Sequence, residues 1–387
     1  MTIKYTRILI LVLAFCLVAG TAGAVGNIRL GQMEIHPYLS LKEIFSDNIY
    51  YTSTDVKSDS ITETTPGIKM QLPIRMHRFE AEYYAVDRRY NTYHGENTTD
   101  EHVKGLLDLK FGSFFSLTAK GAFDKDHEPR YMSATGFIEV YRTGTGFASA
   151  AYQMTGRSKV QVDYSQKTLN YMTSDFRDRD ENIAAGYFFY RFLPRTSFFV
   201  EYDHTTIDYT QQGSDLNNTV DTVFLGITWE ITARSKGTIK VGQTSKDYKD
   251  PSVKDFSGTS WSLNIDHKFN EETAIVLAGL RQVNETKLIG TSYYITTGVS
   301  AELSDRFMTK TAFLLRGSYG TDVYSNAVPP ATEAREDKTS MVGAGLKYFA
   351  SDWLNLGADY NKRHRSSNVA GNDYDETQYV LSLNMSF

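Results

Sequence analysis

The sequence predicts an all-β fold: a transmembrane antiparallel up-and-down barrel of about eighteen strands, with sixteen as the alternative. Three observations carry this. Apolar and polar residues alternate at period two over most of the chain; short turns and long polar loops follow one another in strict rotation; and the last segment is amphipathic and ends on an aromatic carboxyl terminus. Alternation at period two marks a strand whose two faces meet different surroundings. After the first two dozen residues no apolar run approaches the roughly 20 residues a spanning helix needs. A chain that crosses lipid without helices must close its sheet, because an open edge would leave backbone groups unpaired in hydrocarbon.

The 387 residues are 41% hydrophobic and 13% aromatic, with 26 Tyr and 22 Phe, which excludes a disordered or collagen-like chain. The formal charge of -5 argues against a nucleic-acid partner, since such proteins present a basic face to phosphate.

At the N-terminus, Lys4 and Arg7 precede an apolar stretch from Ile8 to Val18, and Ala22-Gly23-Ala24 follows. This is the three-part pattern of a secretory signal peptide. The expected division is therefore a signal peptide over residues 1–24, cleaved near Ala24, and a barrel over residues 25–387. Cys16 follows Phe15 rather than a small residue, which argues against lipoprotein processing. Loss of Lys4 and Arg7 moves the charge from -5 to -7 and leaves no cysteine, so neither a disulfide nor a thiol catalyst is expected in the barrel. An exported, cysteine-free, Tyr-rich chain points to the outer membrane of a Gram-negative cell.

Along the chain, strands read clearly in Phe115 to Asp124, Val160 to Tyr164, Trp261 to Asp266 and Tyr293 to Leu303. Short connectors are expected at Leu72 to Arg75, Gly112-Ser113, Thr155 to Arg157, Leu193 to Arg195, Thr232 to Arg234, Asn270 to Glu272, Ser304 to Arg306 and Ser351 to Trp353. Long polar connectors are expected at Asp47 to Ser60, His94 to Asp100, Lys125 to Thr135, Thr173 to Asp180, Gln211 to Asn217, Asp250 to Phe256, Lys287 to Thr291, Tyr324 to Lys338 and Ser367 to Asp375. Short and long connectors on opposite rims, with an even strand number, put both termini on the periplasmic side. In the final strand Tyr379, Leu381, Leu383, Met385 and Phe387 share one face. This resembles the C-terminal signature that barrel-assembly machinery reads.

At this strand number the wall encloses more space than its own side chains fill, leaving an aqueous lumen. Alternation assigns the lumen Glu80, Glu82, Arg88, Lys104, Lys120, Asp163, Glu201, Asp266, Lys310, Arg316, Lys347, Asp359 and Arg363. A lining of mixed sign favours hydrated polar solutes over apolar ones. Tyr84, Tyr90, Phe188 and Tyr190 are read as inward aromatics. Tyr83, Phe111, Tyr187, Phe198 and Tyr202 suit the aromatic girdles at the lipid boundaries.

Enzyme chemistry finds little support. The eight histidines fall singly, and Asp203-His204 and Asp266-His267 place their side chains on opposite strand faces. The acidic run Asp175 to Glu181 is interleaved with Arg177 and Arg179, which repel a cation, so it reads as a solvated loop. No catalytic residue, metal ligand or cofactor is expected, and no Gly-rich loop opens a helix to hold a nucleotide.

The opening hairpin carries Leu39 to Glu43, then Asp47-Asn48-Ile49-Tyr50, Ser58-Asp59, Thr65-Pro66-Gly67-Ile68 and a Tyr-rich segment from Tyr83 to Tyr90. These features resemble the family Putative beta-barrel porin 2. The resemblance implies a conduit for exopolysaccharide or capsular polysaccharide, with the polymer and a periplasmic export protein as partners; the long acidic loops suit contact with lipopolysaccharide, as they would on any surface barrel. It brings no residue-level site, so the motif reads as a device of assembly and closure. The alternatives are a general diffusion porin for small hydrophilic solutes and an outer-membrane enzyme or structural surface barrel.

Overall fold

A computed structural model describes residues 28–128, 130, 137–173, 176–211, 214–232, 234–329 and 331–387. The signal-peptide expectation over residues 1–24 falls outside them.

The described residues form nineteen strands in one sheet. The first nine are β1 (Ile28–Leu30), β2 (Met33–Ser46), β3 (Asp59–Ile74), β4 (His77–Tyr90), β5 (Thr98–Phe111), β6 (Phe115–Glu128), β7 (Glu139–Gln153), β8 (Ser158–Tyr171) and β9 (Arg179–Leu193). The rest are β10 (Thr196–Tyr209), β11 (Asn218–Thr232), β12 (Ser235–Tyr248), β13 (Phe256–Lys268), β14 (Thr273–Glu285), β15 (Tyr293–Met308), β16 (Thr311–Tyr324), β17 (Glu336–Phe349), β18 (Leu354–Ser367) and β19 (Tyr374–Ser386). Each strand from β2 to β19 pairs antiparallel with its sequence neighbours, and β19 pairs with β2, so 18 strands close a barrel. No helix of the described residues is long and apolar enough to cross a membrane.

Closure joins β19 to β2 from Gln378 opposite Ser46 to Ser386 opposite Tyr38. Below that point β19 has ended, and β1 takes its place against Met33 to Ile35. The Phe387 amide donates to the Pro37 carbonyl at 2.9 Å, so the last residue is bonded into the seam. Its ring stacks on Trp353, centroids 5.9 Å apart.

Directly opposed residues on antiparallel strands share a face, so the registers sort every side chain. One face exposes Phe79, Tyr83, Val103, Val162, Val200, Leu225, Val241, Val299, Val342 and Leu381. This is the apolar belt that lipid requires. The other face carries most of the charge. Tyr379, Leu381, Leu383, Met385 and Phe387 follow the belt's face, as Tyr360 opposite Tyr379 and Ala358 opposite Leu381 show.

Two turns lie later than their turn chemistry indicates. Leu72, Pro73 and Ile74 belong to β3, and the first short turn is Arg75-Met76, where Arg75 takes a positive φ of 56°. Ser304 to Arg306 belong to β15, which shifts register between Asp305 and Met308 and turns at 309–310. The expected turn residues here fall inside strands because ladder pairing and an irregularity in the ladder override local preference. Gly144 and Gly146 sit in unbroken pairing with β6 and form no bulge.

The opening motif has a physical account in this fold. Pro66 has no N–H, and β3 skips two pairs with β4 between Thr64 opposite Asp87 and Gly67 opposite Tyr84. Gly67 leaves the space that the Tyr38 ring occupies, and the Tyr38 hydroxyl donates to Glu82 at 2.8 Å. Asp59 accepts the backbone amides of Thr92 and Tyr93 at 3.0 and 2.9 Å, which ties the start of β3 to the next loop. In the first long loop Tyr50 donates to Glu96 at 3.5 Å; burial and that carboxylate raise the phenol above its ordinary pKa. Glu96 also accepts Arg130 at 2.6 Å, so three neighbouring loops are linked.

Candidate functional site

The charged face lines the lumen. Registers place Glu80, Glu82, Arg88, Lys104, Lys120, Asp163, Glu201, Asp266, Arg316, Lys347, Asp359 and Arg363 on it. Lys310 is not among them: it sits in the β15–β16 turn, where its ammonium donates to the Ala350 carbonyl at 3.2 Å. The strand continuing past Asp305 carries it to the rim. Tyr84 and Tyr90 face inward, opposite Gly67 and Ile61. Phe188 and Tyr190 do not. They stand opposite Val200 and Phe198 on the lipid face and are 46% and 42% exposed. Tyr187, read as a girdle residue, faces inward opposite Glu201. In that aromatic run every residue is apolar enough for either face, so alternation alone did not decide it.

Most inward charges are paired. Glu63 accepts Lys42 and Arg88, each at 2.8 Å, and Arg88 also bonds Asp100 at 2.8 Å. Arg316 bonds Asp359 at 2.8 Å, Lys240 bonds Glu201 at 2.7 Å and Arg363 bonds Glu376 at 3.0 Å. Lys120 lies over the Phe147 ring at 5.3 Å. The lining therefore presents dipoles and alternating charges rather than a field of one sign.

The densest cluster sits at the long-loop end of β8 to β14. Arg177, 2% exposed, bridges Glu128 at 2.8 Å and the fully buried Glu139 at 2.5 Å. Beside it Arg179 bonds Glu181 at 2.8 Å, which also accepts Lys167 at 3.4 Å. The arginines of the acidic run thus fold inward into ion pairs instead of projecting into solvent; Asp175 lies outside the described residues. Lys246, fully buried, pairs with Glu285, which also accepts the Tyr209 hydroxyl at 2.8 Å and the Asn218 amide at 3.3 Å.

Glu285 should not be there by parity. On β14 the odd positions continue the outer face, since Leu277 stands opposite Ile265 and Gly279 opposite Leu263. Yet Lys246, Tyr209 and Asn218 all belong to the inward face. The cause is a separation of two strands. β12 holds β13 up to Phe256, but β13 holds β14 only as far as Trp261 opposite Arg281. Beyond Arg281, β14 remains paired with β15 up to Glu285 opposite Tyr293. The end of this hairpin is tucked inside the wall, with its nominal outer face laid on the inner face of β10 to β13. Tyr293 packs its ring 5.2 Å from that of inward Phe256, and the Ser292 carbonyl accepts the Tyr248 hydroxyl at 3.0 Å.

Between this tongue and the wall lies a cavity of about 540 Å³. Lys167, Tyr171, Arg177, Arg179 and Glu181 line it from the wall, and Gln282, Asn284, Lys287 and Tyr294 from the tongue. Strand alternation does indicate that Lys246 and Arg179 face inward; the tuck of β14 leaves no signature in its own sequence.

A barrel of this strand number with a charged lining is the architecture of a porin, and comparison with known proteins agrees. The family model Putative beta-barrel porin 2 matches residues 21–387. The chain belongs to that family. No curated protein matches it. Among solved structures, the outer membrane protein OpdK from Pseudomonas aeruginosa superposes with a TM-score of 0.51 at 10% identity, covering 91% of this chain and 99% of that one. OpdO from the same organism gives a TM-score of 0.51 at 12% identity, covering 91% and 97%. OpdK solved with vanillate gives 0.50 at 11% identity, covering 91% and 99%. At such identities the likeness concerns the fold. This porin-family chain thus shares its barrel with outer-membrane proteins.

Proposed function

We propose that this chain is a passive outer-membrane channel for small hydrophilic solutes. The observation that carries this reading is the lumen: it is lined by charges of both signs and occupied at one end by the tucked β14–β15 tongue. Fixed charges and hydrogen-bonding groups along a water-filled path favour hydrated polar solutes and disfavour apolar ones. A long polymer in transit needs clearance along the whole barrel, and the tongue takes up that clearance. The family match and the fold likeness do not carry the polysaccharide-export step implied by the opening motif. The reading includes export through the N-terminal signal, assembly through recognition of the aromatic C-terminus, and long loops facing the lipopolysaccharide surface. It assigns the chain no chemical reaction.

The test is single-channel recording of the refolded chain in planar bilayers, together with liposome swelling in sugars of increasing size. Steady conductance, with small sugars entering and an added exopolysaccharide leaving the current unaltered, is the expected result. Steady conductance that the polymer blocks would restore the export reading. A silent barrel would overturn the channel reading altogether.

A further inference from the structure

Below Trp261 and Arg281 the wall is continuous, and above them it is lapped. Two lengths are left unpaired with each other, Phe256 to Ser260 on β13, still held by β12, and Gln282 to Glu285 on β14, still held by β15. They are complementary. Continuing the register of Trp261 opposite Arg281 brings Thr259 opposite Val283 and Ser257 opposite Glu285. At the break the Arg281 guanidinium donates to the Thr259 carbonyl, so a side chain covers what ladder pairing leaves open.

The geometry points to β14 as a gate strand with two positions, tucked as described or zipped onto β13. This inference rests on the channel reading above and adds a regulated lumen to it. In the tucked position Glu285 is held by Lys246, Tyr209 and Asn218. In the zipped position parity carries Glu285 to the outer face beside Ser257. That spot is already polar: Ser257 is exposed and accepts the Gln243 side chain at 3.0 Å. The outer face at this height thus offers Glu285 a hydrated setting, while the inner face offers an ion pair. Val283 makes the same transfer, from lining the cavity to facing outward next to Thr259. Both positions satisfy the strand's side chains, which is the condition for a bistable element. Zipping would clear the tongue from the cavity and widen the lumen.

The decisive variant is Thr259→Cys with Val283→Cys. In the tucked position the two side chains lie on opposite sides of the wall, Thr259 exposed and Val283 in the cavity. In the zipped position they are direct cross-strand partners within disulfide reach. Cys16 is the only other cysteine, so single-cysteine variants isolate the new bond. Under mild oxidation the double variant is expected to cross-link, and its conductance to rise about twofold as the tongue leaves the lumen, reversing on reduction. Glu285→Gln, which weakens the tucked position without adding a cysteine, is expected to raise conductance in the same direction. Failure to cross-link, with both thiols still reactive to maleimide, would overturn the second position. A cross-link that leaves conductance unchanged would overturn the gate. A wild-type chain that never conducts would instead sink the channel reading, and cross-linking alone would then decide whether β14 moves.

Discussion

Asn48 joins the two ends of the barrel: its side-chain amide donates to the Asp375 carbonyl at 2.8 Å, across a separation of 327 residues. The same amide donates to the Thr52 carbonyl at 2.8 Å, and its side-chain oxygen accepts the Thr52 amide at 3.1 Å. One buried side chain therefore shapes the first long loop and fastens it to the last strand. Its neighbour Asp47 adds a bond from the Thr377 amide at 2.7 Å. The Asp-Asn pair of the opening motif is a closure device.

Replacing Asn48 with Ala should leave the Thr52 amide and the Asp375 carbonyl without their partner. The expected cost is about 1–3 kcal/mol, typical of unsatisfied buried groups. Heat-modifiability on SDS gels should show the folded band lost at lower temperature than in the wild type. An unaltered midpoint would show that water replaces the amide without penalty.

Arg177 holds two carboxylates, one of them fully buried. Arg177→Leu should destabilise the barrel by about 3–5 kcal/mol, because Glu139 keeps its burial and loses its counter-charge. Adding Glu139→Gln should recover much of that loss. Urea unfolding in lipid vesicles compares the two variants, and an additive double variant would refute the coupling.

The placement of Lys310 in a turn makes it a control for the lumen. Lys120→Glu, on the inward face, should shift the reversal potential under a KCl gradient toward cation selectivity. Lys310→Glu should leave that potential unchanged. Equal shifts in the two variants would mean that the turn rim, not the lining, sets selectivity.

Phe387 closes the seam through its amide and stacks on Trp353. Phe387→Ala keeps the amide bond but removes the aromatic terminus. The assembled, heat-modifiable fraction in cell envelopes should fall several-fold, while protein refolded in detergent should lose only the ring contact, about 1 kcal/mol. Equal assembly of both chains in cells would separate the terminus from recognition by the assembly machinery.

Strand existence, the order of short and long connectors and the facing of most charged residues were legible in the sequence. The reason is physical: a wall between lipid and water imposes opposite chemistry on successive residues, and residues such as Glu80, Lys120 and Asp359 have no place on an apolar face. Where both faces accept the residue type, as in the run from Tyr187 to Tyr190, the sequence left the choice open. Turn positions also slipped where the ladder overrode local turn chemistry, as at Ser304 to Arg306.

By itself, then, the sequence determined a closed barrel and its apolar belt, since every strand carries its own periodic record of what it faces. Only the tertiary structure decided the burial of Arg177, the latch at Asn48 and the inward tuck of β14. Each of these depends on partners distant along the chain, namely Glu128 and Glu139, Asp375, and Lys246, Tyr209 and Asn218. Glu285 shows the difference most clearly, because its parity places it outside while its contacts hold it inside. Parity records only the strand's own pleat, whereas the separation of β14 from β13 is a property of the whole sheet.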